Sequence, residues 1–446
     1  MSDPPAPAAH RLLAALLVVY CAKAVVTALV CPPFTGHDEV AHYEYIRVLS
    51  ADGRPPSLLT DRLPEDLFPY HAYALQWDAT NRFTAPLYTA LHPPLYYTLM
   101  VPIYRATRGA APEVRQLAVR LASIPFGLVT VLLAFAVARV LFPRDGFIPA
   151  GAAALVAFQP QVAYEAAMVN NDMCAIAVFS GLIYLLVLTL RDGASTGRAA
   201  GIGALLGLGL LAKSSTLAGL PLAVIVLLYA SRGGLAVRAR QLGIALLVLL
   251  ALVAPWYAFL YRTYGNFSGL PQLATIQTEL TRQDATTVQL LLSGAFAADR
   301  WGEAWGGFGW KLIPLDGWLL TALALFAALA LVGLAAGAFV AWRCGDEAPG
   351  ALPISGWRGA AILLLCGTCL VSYAAVAQFG TRFVLTQARY FFPSIIPAAI
   401  LALAGLRAWL PAGRLVAARA LAIWGLVALN VITFTAFLIP YWHFRG

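Results

Sequence analysis

The sequence predicts an all-α polytopic membrane protein. Of its 446 residues 61% are hydrophobic, only 11% are charged, and the mean hydropathy is +0.76. An average soluble domain carries about 25% charged residues, so a water-soluble enzyme is excluded. Intrinsic disorder requires low hydrophobicity and high net charge. The 37 Gly and 6 Cys fit neither a collagen nor a disulfide framework. The formal charge of +9 comes from 27 Arg and 3 Lys against 21 acids. These cations mostly flank the apolar runs, as residues that orient insertion do. No basic stripe with interleaved aromatics points to nucleic acid. The excess of Arg over Lys fits a GC-rich genome and hence a bacterium. Cys21, Cys31, Cys174, Cys344, Cys366 and Cys369 mostly lie within or at the ends of apolar runs, where a thiol behaves as a small hydrophobe, and show no zinc spacing.

Runs near 20 apolar residues, enough to cross a ~30 Å hydrocarbon core, fall at 12–31, 117–139, 147–163, 172–190, 242–260, 318–341, 358–377, 390–407 and 420–440. The first lacks an A-x-A-like cleavage site and reads as a retained span. The 13 residues of 92–104 (HPPLYYTLMVPIY) include three prolines and suit an interfacial or re-entrant segment. The 33 residues of 199–231 are long for one crossing and short for two. Charge bias settles both segments. Suppose Arg11 is inside, 92–104 does not cross and 199–231 crosses twice. Then the short loops bearing Arg139 and Arg144, Arg191 and Arg198, Arg232, Arg238 and Arg240, Arg343 and Arg358, and Arg407, Arg414 and Arg419 are all cytoplasmic. No other parity does as well. The expectation is eleven spans, N-terminus inside and C-terminus outside, with Lys213 at the outer apex of the short pair.

Two modules follow, 1–260 with outer loop 32–116, and 261–446 with outer loop 261–316 and four C-terminal spans. The first loop holds nine of the 21 acids and four of the six histidines, and is expected to form short amphipathic helices on the outer face. The second is Trp-rich around WGEAWGGFGWKLIP and holds Glu279, Asp284, Asp299, Glu303 and Asp316.

Polar residues at membrane depth point to chemistry. Past the first span, HDEVAHYEYI puts Asp38 and Glu39 near the surface. Adjacent acids cannot both point inward on a helix. Asp38 shares a face with His42 at i, i+4, with Tyr45 nearby, while Glu39 shares the next face with Tyr43. This fits a general base at the boundary, an acid-plus-imidazole cation site, or acids capping a helix. In VNNDM, Asp172 beside Asn170 and Asn171 either binds hydroxyls or a cation, or caps the fourth span. Glu165 lies one loop earlier on the same side. Lys213, followed by Ser214 and Ser215, meets a phosphate or snorkels to the interface. Arg389, seven residues after Arg382, offers a fork for phosphate or carboxylate, or anchors the interface with Tyr390. His37, His42, His71 and His92 offer a His-rich metal site, though their spacing matches no standard motif. Trp301, Trp305 and Trp310 fit an interface belt or a sugar-stacking platform.

The order of these features resembles the GT-C membrane glycosyltransferases. The shared elements are an Asp-Glu pair after the first span, an outer loop ending in Pro-Pro-Leu-Tyr (92–97), an Asp-bearing loop before the fourth span, and a Lys between two short helices. Protein O-mannosyltransferases and lipid A aminoarabinose transferases share this layout. The strings WGGFGW (305–310), QARYFFP (387–393) and NND look like a bacterial branch related to them. The resemblance covers roughly 30–260, which makes 1–260 the GT-C-like module and 261–446 the variable one.

The resemblance implies a GT-C-like bundle that moves a sugar from a polyprenyl-phosphate carrier to a glycan, protein or lipid acceptor. The reaction would occur at the outer face of the bacterial cytoplasmic membrane, with inversion. Asp38, with Glu39 beside it, would be the catalytic pair, Asp38 taking the acceptor proton. His42, His92, Asn171, Asp172, Lys213, Arg382, Arg389 and Tyr390 would bind substrate and its phosphate. Asn170 stands where the related oligosaccharyltransferases have the first acid of D-x-D, so a divalent cation on Asp38 and Asp172 stays open. Specificity is expected from the outer loops, since no soluble domain follows the last span. The alternative is a transporter or flippase for a lipid-linked or polar substrate, a class marked by inverted repeats and midplane polar residues that are not visible here. A non-catalytic assembly subunit is a third reading.

Overall fold

The computed structural model describes residues 6–67, 70, 86–276, 281, 284–384 and 386–444 as an almost wholly helical bundle. Among the described residues eight helices are long and apolar enough to cross a bilayer: Ala9–Val30, Pro112–Leu141, Asp172–Asp192, Leu235–Tyr264, Gly317–Cys344, Gly356–Gly380, Ala388–Ala408 and Leu415–His443. Three shorter apolar helices, Ile148–Phe158, Thr196–Ala212 and Ser214–Ala230, fall where the remaining spans are expected. The chain is an integral membrane protein of the all-α class.

Two expected spans are not simple helices. The run 147–163 breaks at Gln159, whose side chain accepts the Val162 N–H at 2.6 Å while Pro160 opens a new helix, Pro160–Ala166. Proline has no N–H to continue the ladder of the preceding helix. The run 390–407 begins as a 3₁₀ turn, Ala388–Ser394, before helix Ile395–Ala408. Both irregular stretches lie at the end of the bundle where the polar residues gather.

Small residues let the helices approach closely, the usual source of association where lipid removes the hydrophobic drive. A Cβ on Gly203 would stand 2.2 Å from the Ala245 carbonyl oxygen, and one on Gly405 would stand 1.9 Å from that of Ala330. Gly203→Ala or Gly405→Ala would push two spans apart. The helix Asp172–Asp192 lies innermost among the spans, and Leu247, Leu325 and Trp318 are among the apolar side chains left on the bundle surface.

The run 92–104 forms only the twelve-residue helix Leu95–Ala106, too short to cross. It packs on helix Glu39–Asp52 through buried Tyr43, Tyr45, Tyr96, Tyr97 and Tyr104, with Tyr45 stacked on Tyr97 at 3.6 Å between ring centroids. At the opposite end of the bundle Arg407 pairs with Asp145 at 2.8 Å and Arg198 with Asp192 at 2.6 Å.

Candidate active site

Pro32 and Pro33 follow the first span and stop it. The chain then passes through two left-handed residues, Phe34 (φ 63°) and Asp38 (φ 54°). Aspartate tolerates this conformation better than most residues. Asp38 stands at the N-cap of Glu39–Asp52, yet its side chain caps nothing. Its Oδ2 accepts from Arg389 Nη2 at 2.5 Å, and its Oδ1 accepts from the Tyr88 hydroxyl at 2.8 Å.

Arg389, in the turn Ala388–Ser394, also donates from Nη1 to Asp172 Oδ2 at 3.1 Å. Lys213 Nζ donates to Asp172 Oδ1 at 2.5 Å. A row of alternating charge results, Asp38, Arg389, Asp172 and Lys213, drawn from four segments. Local sequence explains the placement. Asn170, rather than Asp172, accepts the N–H that opens the span, with Oδ1 2.9 Å from the Asp172 nitrogen, so the Asp172 carboxylate is free for the cations. Asn171 Nδ2 donates to the Ala212 carbonyl at 2.7 Å, pinning this turn to the end of Thr196–Ala212 and bringing Lys213 within reach. The Tyr390 ring centroid lies 4.8 Å from Lys213 Nζ, a cation–π contact.

Other expected site residues lie apart. Glu39 is 1% exposed and accepts from Arg120 Nε (2.7 Å) and Nη2 (2.6 Å), Gln116 Nε2 (2.8 Å), and the backbone N–H groups of Gly36 (2.9 Å) and Val169 (2.9 Å). A carboxylate has about four lone-pair sites, so Glu39 has none left for a substrate proton and does not share the site with Asp38. His42 turns to the Tyr97 hydroxyl at 2.8 Å, and His92 Nδ1 meets the same hydroxyl at 3.2 Å. Burial, with help from neighbouring positive groups, lowers both imidazoles, His92 to about 4, so they face the row uncharged. Arg382 is exposed and enters no ion pair among the described residues.

Of the four outer-loop histidines, His37 lies 3.0 Å from Glu165, His42 and His92 meet the Tyr97 hydroxyl, and His71 is outside the described residues. The Arg389 guanidinium bridges Asp38 and Asp172, and Lys213 takes the remaining Asp172 oxygen. Among the described residues no three His, Cys, Asp or Glu are grouped to hold a metal.

Reading the sequence missed Arg120, whose signal was a charge inside an apolar run, and the tyrosines Tyr88 and Tyr97, which had none. It placed Glu303 only within a loop. Glu303 accepts the Ala388 N–H at 2.9 Å and so holds the turn that carries Arg389.

Residues 92–259, less than half of the chain, match the family described as dolichyl-phosphate-mannose-protein mannosyltransferase. No curated protein matches the sequence. Among solved structures, ArnT from Cupriavidus metallidurans bound to undecaprenyl phosphate is 17% identical, with a TM-score of 0.52 over 94% of this chain and 64% of that one. The Archaeoglobus fulgidus oligosaccharyltransferase in complex with Zn and sulfate is 13% identical, with a TM-score of 0.55 over 95% of this chain and 53% of that one. The same organism's AglB with an inhibitory peptide and a dolichol-phosphate gives 13% and 0.50, over 96% of this chain and 54% of that one. The chain thus spans between about half and two thirds of the length of these structures, and across that span it has the GT-C fold of membrane glycosyltransferases.

Proposed function

We propose that this chain is an inverting glycosyltransferase that moves a sugar from a polyprenyl-phosphate carrier to an acceptor hydroxyl at the outer face of the bacterial cytoplasmic membrane. The observation that carries this reading is the row Asp38, Arg389, Asp172 and Lys213 at one end of the bundle, where a carboxylate with 15% of its side chain exposed stands beside two cations. Asp38 takes the proton of the acceptor hydroxyl as its oxygen attacks the anomeric carbon. A carboxylate is a weak base, so proton transfer and attack are concerted. The bond from the anomeric carbon to the phosphate oxygen breaks on the opposite face of the ring, and its electron pair leaves with the phosphate. One displacement inverts the centre. The leaving group is already acidic, so no second carboxylic acid is needed, unlike a glycosidase expelling an alcohol. Lys213 and Arg389 take up the charge growing on that phosphate, and Asp172 holds both in place.

Several observations support the details. The ArnT and AglB structures contain undecaprenyl phosphate and dolichol-phosphate respectively, which favours a polyprenyl phosphate as carrier. Arg139, Arg144, Arg191, Arg198, Arg407 and Arg419 crowd the end opposite the row, and the positive-inside rule assigns that end to the cytoplasm. The row lies at helix ends rather than midway along broken spans, which favours group transfer over transport. Module 1–260 supplies three members of the row, and Arg389 from 261–446 completes it.

The test is release of sugar from a panel of radiolabelled polyprenyl-phosphate hexoses and pentoses by purified protein in lipid. Asp38→Asn should lose turnover and keep carrier binding, and a chelator should change neither. Wild type that binds and turns over no carrier would end this reading.

A further inference from the structure

At the end of the bundle opposite the row, four segments meet around a shallow depression. The first span lines it with Ala9 and Leu12, the second with Phe135 and Arg139, the helix Ile148–Phe158 with Pro149, and the last span with Arg419. Arg139 stands one turn beyond Phe135 on the same helix face, nearer the end of the span, so the depression is apolar on its membrane side and cationic at its mouth. From Leu12 the apolar surface continues along the first span. Exposed Val19 and Val26 follow it at intervals of seven residues, on one face of the helix.

The acid among the lining residues is already committed. Asp145 Oδ2 accepts from Arg407 Nε at 2.8 Å, and its Oδ1 accepts the N–H groups of Phe147 and Ile148, each at 2.8 Å. Arg419 donates from Nη1 to the Gly146 carbonyl at 3.1 Å, and Arg139 enters no hydrogen bond or ion pair among the described residues. Two half-buried guanidiniums therefore line one depression with no carboxylate to answer them. Like charges gathered where water is partly excluded repel more strongly than in bulk solvent, and an anion between them removes that cost. The rule that orients insertion asks only for cations in the loops at this end. It does not ask that two of them, from the second span and the last, converge over an apolar wall. The enclosed part of the depression is only about 10 Å³, room for one water. A ligand lies along this surface rather than inside it.

We propose that Arg139 and Arg419 hold the phosphate of an anionic glycerophospholipid from the leaflet at this end, with an acyl chain along Leu12, Val19 and Val26. Guanidinium forks match the two free oxygens of a phosphodiester. A zwitterionic head group brings its own cation and leaves one arginine unanswered, and a soluble anion leaves the apolar track bare. Basic pockets between spans are the usual form of such sites. The inference does not depend on the sugar-transfer reading.

The test is the melting temperature of full-length protein in detergent with added phosphatidylglycerol, phosphatidylcholine or inorganic phosphate. Phosphatidylglycerol should raise that of wild type, and the other two should not. The concentration giving half of the rise should increase about 25-fold in Arg139→Gln with Arg419→Gln, and about fivefold in Arg139→Gln alone, at the usual worth of a cation facing anionic lipid. The single variant removes no polar contact within the described protein, so it decides the matter if the double variant does not fold. Arg232→Gln with Arg238→Gln takes two exposed charges from the same end and should change that concentration less than about twofold. No rise with phosphatidylglycerol, an equal rise with phosphatidylcholine or inorganic phosphate, an unchanged half-point in Arg139→Gln, or an equal loss in the Arg232 and Arg238 pair overturns the proposal.

Discussion

Asp38 and Glu39 are neighbours in the chain, each meets an arginine, and the two pairs are built for opposite ends. Around Glu39 everything is closed. Arg120 holds both carboxylate oxygens and spends its other N–H groups on the carbonyls of Ala28, Cys31 and Pro32, tying the first span, the second span and the outer loop together. Around Asp38 the pair is shared. Arg389 divides itself between two acids, its Nε has no hydrogen-bond partner among the described residues, and Asp38 keeps 15% of its side chain exposed. A closed pair has nothing to give a substrate, whereas a divided one can turn its arginine toward a phosphate without stranding a buried carboxylate. Under the proposed sugar transfer, the other contacts of each arginine decide which acid does chemistry.

The same isosteric change at each acid tests that contrast. Asp38→Asn preserves shape and can still accept from Tyr88, so the melting temperature should hold while kcat for transfer falls on the order of 10³-fold, within the range for loss of a general base. Transfer that survives this change would remove Asp38 from the mechanism. Glu39→Gln should do the reverse. Breaking one side of a buried ion pair costs about 3–5 kcal/mol, read as a lower melting temperature in detergent, while the protein that remains folded keeps kcat within a few-fold. Normal stability with abolished turnover would exchange the two roles.

Sequence patterning could not have told these acids apart. Placing Asp38 and His42 on one helical face assumes that Asp38 is helical, but its left-handed backbone swings the carboxylate off that face, and His42 meets Tyr97 instead. The spans were legible because lipid allows only long apolar helices, and arginine placement resolved the short pair that carries Lys213. The partnership of Asp38 with Arg389 crosses 351 residues, and no local spacing encodes it. Asp172 was legible as a polar residue at the start of a span. Its release from capping depends on Asn170, and only the folded turn reveals which of the two accepts the N–H.

A smaller effect sharpens the contrast within the row. Lys213→Met removes one charge-assisted hydrogen bond to Asp172 and leaves Arg389 in place. KM for the carrier should rise about 10- to 100-fold, the worth of one charged hydrogen bond, with the melting temperature little changed because Asp172 keeps Arg389. An unchanged KM would place the phosphate away from Lys213.

The smallest effect concerns the imidazoles that separate the row from the tyrosine layer. The Tyr97 hydroxyl has a single proton to donate, so of the two Nδ1 atoms near it, on His42 and His92, one is bare and accepts that proton while the other carries its own and donates to the oxygen. The accepting ring is therefore uncharged, and burial holds both rings below the ordinary histidine value, His92 at about 4. An unfolded chain titrates near pH 6.5. Between about 6.5 and 4 it binds protons that the folded protein refuses, so stability is complete above that window and falls as the pH drops through it. The melting temperature of wild type should therefore decrease by roughly a few degrees between about pH 7.5 and about pH 5, and His92→Gln, which cannot titrate, should decrease less. Equal decreases would show that acid acts elsewhere, on the exposed carboxylates of the outer loop. A larger decrease in the variant would mean that His92 protects the layer as a cation, contrary to its burial beside Lys213.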